Sequence, residues 1–154
     1  MSAPQTPDRV ALKGWLDEAG TEYYLCNQCE GLHIPELQGL EGVVDSRLFH
    51  ERYGLLLTTE LEVRPMALLA LAADLGRINM DYPTLKIFLD VVDDATPQLV
   101  VAGILPAGGG VTREQFTEFM ALSVEGTGRL AAECLHLDYM FAEGARTPPS
   151  TSLH

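Results

Sequence analysis

Apolar positions near the start of the chain recur with a helical spacing. Val10, Leu12, Trp15, Leu16 and Ala19 form one stripe across residues 8–19, as a helix of 3.6 residues per turn requires. Thr6 or Asp8 is placed to cap this helix, and Gly20 to end it. The period then shortens to two. Residues 23–25, Leu32 with Ile34, and residues 43–49 read as strands. Leu55, Leu57, Leu61 and Val63 alternate with Leu56, Thr58, Glu60 and Glu62, the mark of a strand with one wet face. HERYG, residues 50–54, is predicted to be the hairpin loop between the last two.

Arg64-Pro65 breaks the strand, and Pro65 can open a helix at its first position. The helix predicted for residues 66–78 begins with MALLALAA, which holds no polar residue. Leu68, Leu71, Leu75 and Ile78 make one stripe; Met66, Leu69, Ala70 and Ala73 make a second. A helix lying on a sheet needs only one stripe. Two stripes imply cover on two sides, supplied either by a second subunit or by the terminal helix. Met66, Leu68, Leu69, Leu71, Leu75 and Ile78 are therefore the candidate residues for a homodimer or partner interface.

Residues 84–92 alternate again, DDATP at 93–97 is a turn sequence, and the apolar run 99–105 reads as a central strand. The loop PAGGG is followed by Thr112 and Gln115, a capping box at the start of a last helix. Phe116, Phe119, Met120, Val124, Leu130, Ala131 and Cys134 form that helix's stripe, which Gly126 and Gly128 should weaken in the middle. The expected organisation is a flexible arm at 1–7, a single domain at 8–143 and a disordered tail at 144–154. A run of strands between helices, without strict strand–helix alternation, predicts an α+β fold with an antiparallel sheet.

Charge narrows the function classes. The chain of 154 residues carries a net charge of −12. No cluster of Lys and Arg offers a footprint for phosphates, so direct nucleic-acid binding is not expected. No apolar run approaches a membrane span, and the first residues lack the features of a signal peptide. Three cysteines without an export signal suggest reduced thiols in the cytoplasm.

The stretch LCNQCEGLHIP, residues 25–35, is the one candidate for site chemistry: Cys26 and Cys29 in a Cys-x-x-Cys spacing, with His33 four residues on. A structural zinc site needs four ligands. No second Cys-x-x-Cys occurs, Cys134 sits on an apolar helical stripe, and no spacing connects His50 or His136 to the pair. A thioredoxin-type redox pair would open a helix, which Gly31 and Pro35 oppose. The residues thus favour a turn in the sheet, with no metal and no cofactor. Cys26, Cys29 and His33 are the ligands should one bind. His33, between Leu32 and Ile34, should point away from them, to solvent or a polar partner. The acidic cluster Asp90, Asp93 and Asp94 lacks the convergent oxygens of a calcium loop and reads as a turn. Gly108, Gly109 and Gly110 precede a helix, but no Lys-Ser/Thr follows to make a phosphate loop. No acid, base and nucleophile converge in the sequence, so a non-enzyme is expected.

Several segments taken together resemble the YbjN family of bacterial sensory-transduction regulators. They are WLDEAG (15–20), the Cys-x-x-Cys-x-x-x-His segment with LHIPELQGLEGVVD (32–45), EVRP with ALLALAADLGRIN, LKIFLDVVDD (85–94), PQLVV and GVTREQF (110–116). The resemblance spans about residues 12–119. It implies the fold of type III secretion chaperones, α-β-β-β-α-β-β-α with an antiparallel sheet flanked by helices. It also implies a cytoplasmic, homodimeric, non-enzymatic regulator that binds segments of a partner protein. The alternative is a metal- or redox-responsive sensor built on Cys26 and Cys29.

Overall fold

The structure, a computed structural model, describes residues 2–93 and 95–141. The tail expected at 144–154 lies outside the described residues. Helix α1 (Arg9–Glu18) starts where Asp8 accepts a hydrogen bond from the Ala11 amide at 2.8 Å. It buries Leu12, Trp15 and Leu16, while Val10 is left 76% exposed, so the buried stripe is narrower than the sequence pattern. The first residues, expected to fray, are tied down: Gln5 and Val111 exchange backbone hydrogen bonds, and Ser2 bonds Glu114.

Six antiparallel strands follow in the spatial order β1-β2-β3-β4-β6-β5. They are β1 (Tyr24–Leu25), β2 (Leu32–His33), β3 (Val43–Glu51), β4 (Gly54–Glu62), β5 (Lys86–Asp90) and β6 (Gln98–Pro106). Four strands precede the central helix, as the residue pattern placed them and one more than the resemblance implied, and a short helix α2 (Pro35–Gln38) interrupts them. The α+β class and the antiparallel sheet flanked by helices are as predicted. β3 and β4 join through Arg52 and Tyr53 alone, since Glu51 pairs with Gly54.

Alternation decides which face is buried. Leu48, Leu55, Leu57, Leu61, Leu99 and Val101 point to the helical side and are at most 2% exposed. Ser46 and Thr59, buried on the same side, satisfy each other across the strands at 3.0 Å. The core has two halves. One gathers Leu12, Trp15, Leu16, Leu37, Leu48, Leu57 and Phe116; the other gathers Leu61, Leu71, Ile78, Leu85, Leu99 and Leu130. Helix α4 (Arg113–His136) serves both halves. Its Thr112–Gln115 capping box forms as predicted. Its glycines do not break it: Gly126 sits against Leu85, where a Cβ would come within 3.1 Å of a leucine methyl.

Helix α3 (Leu68–Asp81) resolves its two stripes differently. Leu71 and Ile78 are buried, and Leu68 and Leu75 partly so. In the second stripe Met66 is 90% and Leu69 85% exposed, and Ala70 and Ala73 are exposed with them. Helix α4 shares the core of the first stripe through Leu130, Ala131 and Cys134. It leaves the second stripe bare.

An ion pair ties α3 to α4, with two more inside α3. Arg77 meets Asp74 at 2.7 Å, Asp81 at 2.8 Å and Glu133 at 2.7 Å. Tyr82 donates to Glu133 at 2.7 Å. The Tyr82 hydroxyl, outweighing burial and aided by Arg77, holds the Glu133 carboxyl below its ordinary 4.5. Arg77 does the same for Asp74, below 3.8. A depressed folded pKa stabilises above the unfolded value and is lost as pH falls through the folded one. Thermal unfolding should therefore show wild type above Glu133→Gln by on the order of 1 kcal/mol near neutrality. The gap should begin to close as pH nears 4.5 and be lost as pH falls through the lowered folded value.

Candidate functional site

The cysteine segment lies at the edge of the sheet, on the face turned away from the helices. His33 is opposite Arg47 of β3 on one side and Tyr24 of β1 on the other. Gly31 lets the chain run close to β3, since a Cβ there would meet the Phe49 ring at 2.9 Å and the Arg47 Cβ at 3.0 Å. This brings three side chains to one point. Cys26 Sγ is 3.2 Å from Cys29 Sγ, and Cys29 Sγ is 3.4 Å from His33 Nε2. All three donor atoms lie within 4.8 Å of one another. The two cysteines are half-buried, while His33 is only 7% exposed. The expected route to solvent is thus closed, and the polar partner is Asp45.

The imidazole is held from every side. Its Nδ1 is 3.0 Å from Asp45 Oδ1, and the Tyr24 ring stacks on it with centroids 4.7 Å apart. Gln38 of α2 donates to Asp45 at 2.8 Å and to the Tyr24 hydroxyl at 2.7 Å. The Ser46 amide donates to Asp45 at 2.8 Å. Asp45 also lies 3.7 Å from Arg47 Nε, and Arg47 pairs with Glu60 at 2.7 Å.

These contacts tune the groups in opposite directions. The Gln28 backbone and the Cys29 thiol lower the Cys26 pKa. For His33, burial opposes the charge, but hydrogen bonds to Asp45 and Cys29 outweigh it and raise the pKa. For Asp45, burial is outweighed by hydrogen bonds from Gln38 and His33, and the pKa falls. Cys134, by contrast, is pushed up to about 12 by burial, an inert core thiol as its helical stripe suggests.

With Asp45 accepting from Nδ1–H, a neutral imidazole turns its Nε2 lone pair to the sulfurs. The cluster can hold a soft metal ion, or close a disulfide. Cys29, His33 and Asp45 also line up as nucleophile, base and orienting carboxylate, a convergence the sequence reading did not expect. The apolar cleft of about 300 Å3 lined by Leu16, Phe116 and Met120 is elsewhere, and none of its lining residues belongs to the cluster. His50, His136 and Cys134 stay apart from the cluster, which among the described residues gathers Cys26, Cys29 and His33. Sequence reasoning missed Asp45, Gln38, Tyr24 and Arg47. Asp45 and Gln38 fall inside the segment 32–45 that carries the family resemblance.

A second candidate surface is the bare stripe of α3. Met80, 81% exposed, extends it beyond Met66 and Leu69. Among the described residues no helix is long and apolar enough to cross a membrane.

Comparison with known proteins points one way. The YbjN family model, described as "Putative bacterial sensory transduction regulator", matches residues 8–136. YbjN of Escherichia coli strain K12 is 41% identical over 125 residues, covering 81% of this chain and 79% of that protein. YbjN of Shigella flexneri matches with the same identity and coverage. The crystal structure of E. coli YbjN, described as "a putative transcription regulator", superposes with a TM-score of 0.87 and 36% identity, over 91% of this chain and 99% of that one.

Proposed function

The chain belongs to the YbjN family, and we propose that it is a non-enzymatic, cytoplasmic regulator that acts by protein contact as a homodimer. The observation that carries this reading is the bare stripe formed by α3 and the 3-10 turn before it, where Met66, Leu69 and Met80 are each more than 80% exposed. Apolar side chains grouped on one helix face in this way are the mark of a contact surface. A two-fold axis would set the stripe against its own copy, and a partner segment would dock chaperone-fashion on the apolar surface that remains. With a net charge of −12, an influence on transcription would run through protein rather than through DNA.

Light scattering at micromolar concentration tests the assembly. Wild type should show twice the 16.8 kDa of one chain. The double variant Met66→Asp, Leu69→Asp should be a folded monomer, because both positions are exposed. A wild-type monomer would remove the dimer. A dimeric double variant would move the interface off this stripe.

The convergence of Cys26, Cys29 and His33 favours a second reading: a sensor that responds to a metal ion or an oxidant through the edge cluster. Its first mark would be a change in thiol state or metal content, independent of oligomeric mass.

A further inference from the structure

Resting on that second reading, we propose that Cys26, Cys29 and His33 form a site for one thiophilic divalent ion of the zinc class. Asp45 is the positioning residue behind His33, and the fourth coordination position is open. The donor set argues for the ion's class. Two thiolates and an imidazole suit zinc, and the cobalt or cadmium that substitute for it, far better than magnesium or calcium, which want oxygen.

The distances fit a site poised to close on an ion. Tetrahedral zinc, with bonds of about 2.3 Å to sulfur and about 2.0 Å to nitrogen, spaces its donors roughly 3.5 to 3.8 Å apart. Here the neighbouring donor pairs are 3.2 and 3.4 Å apart. The third pair, Cys26 Sγ and His33 Nε2, lies within 4.8 Å, so shifts of about an ångström at the thiols would seat the ion. The outer contacts follow the same logic. A ligating histidine commonly gives its other ring nitrogen to a carboxylate, which sets the tautomer and the ring orientation. His33 Nδ1 does this with Asp45 at 3.0 Å. Asp45 is in turn held by Gln38 and by the Ser46 amide, and Tyr24 stacks on the ring.

The other two chemistries leave part of the cluster unused. A nucleophile needs Cys29 and His33 but gives Cys26, 3.2 Å away, no task. A disulfide joins the two sulfurs but does not call for an imidazole nitrogen aimed at them. An ion uses all three donors together with the carboxylate behind. No fourth His, Cys, Asp or Glu joins the group among the described residues. Three protein donors and an open position mark an ion that can exchange or take a further ligand, unlike a closed structural site. Coordination would also cross-link the chain between β1 and β2 to His33, stiffening the edge of the sheet.

Cobalt(II) titration of the full chain, without a polyhistidine tag, tests the proposal. Wild type should take up one equivalent, with thiolate-to-cobalt charge-transfer absorption and the intense visible bands of a tetrahedral ion, all removed by zinc. Cys26→Ser and Cys29→Ser should each lose most of the charge-transfer intensity. Asp45→Asn should bind about 10- to 100-fold more weakly with the same spectrum, and Cys134→Ser should match wild type. No charge-transfer band, or an undiminished band in Cys29→Ser, overturns the site. Mass spectrometry after diamide treatment separates this failure from that of the sensor reading. If the protein binds no cobalt but the two thiols pass two electrons and two protons to diamide and close a reversible disulfide, the ion is wrong and the oxidant remains. If neither happens, both fall.

Discussion

Leu71→Asp should leave the chain largely unfolded, while Leu69→Asp, two residues earlier, should leave it folded. Leu71 is 0% exposed in the half of the core built with Ile78, Leu85, Leu99 and Leu130. Its neighbours in that cluster are apolar, so the new carboxylate must either be buried among them or force α3 off the sheet. An uncompensated buried charge costs about 3 to 5 kcal/mol, added to the lost burial of a leucine at about 2 kcal/mol. A domain of this size has roughly 5 to 15 kcal/mol to lose. Leu69 is 85% exposed in the single chain, so a carboxylate there can weaken the contact between copies but does not disturb the core. Urea unfolding followed by circular dichroism would distinguish the pair. Equal stability of the two variants would mean that α3 does not pack with the face described.

Gly54→Ala should be the most damaging single-methyl change, costing about 3 kcal/mol or more. Gly54 opens β4 at φ +144°, a backbone conformation side chains rarely adopt. A Cβ there would run into the Leu105 carbonyl and lie 2.8 Å from the Ala107 amide nitrogen. Neither can yield cheaply. Leu105 is paired with Leu55 in the ladder, and the Ala107 amide donates to Tyr53 at 3.0 Å, closing the hairpin turn against β6. Gly108→Ala is the control, because a Cβ there meets nothing within 4 Å. The urea midpoint should drop for Gly54→Ala and hold for Gly108→Ala. Similar midpoints would show that the turn can relax.

The fold was legible where a periodic pattern ran long enough to average out exceptions. β3 and β4 have nine residues each, and inward Leu55, Leu57 and Leu61 alternate without a break. The two-residue strands β1 and β2 were placed by their β-type residues, but strands this short have no period from which to read their neighbours or register. Stripe counting also cannot separate residues on one helix face by depth. Leu68 shares its stripe with Leu71, yet only Leu71 is fully buried. Val10 fits the α1 stripe and still faces water, because the helix lies on its Leu12–Leu16 side.

The site was legible by half. The three donors stand within eight residues of each other in the sequence, but their convergence depends on the sharp path through Gly31 and on the β2–β3 register. Asp45 is twelve residues beyond His33 and reaches it because β3 runs back antiparallel to β2, which sets Arg47 opposite His33 and Asp45 two residues away. No local spacing encodes that, so the sequence showed the three donors without the carboxylate that orients one of them.

The two halves of the core matter in one more way. The chain has a single tryptophan, Trp15, and it lies in the first half, 5.4 Å from the Phe116 ring. Indole emission therefore watches α1 and the start of α4. The half that holds α3 and β5 carries tyrosines instead, Tyr82 and Tyr139. A chain whose α3 detached while α1 stayed docked would keep its native emission. Coincidence of indole fluorescence with far-ultraviolet dichroism is thus the test of whether the two halves melt as one cooperative unit.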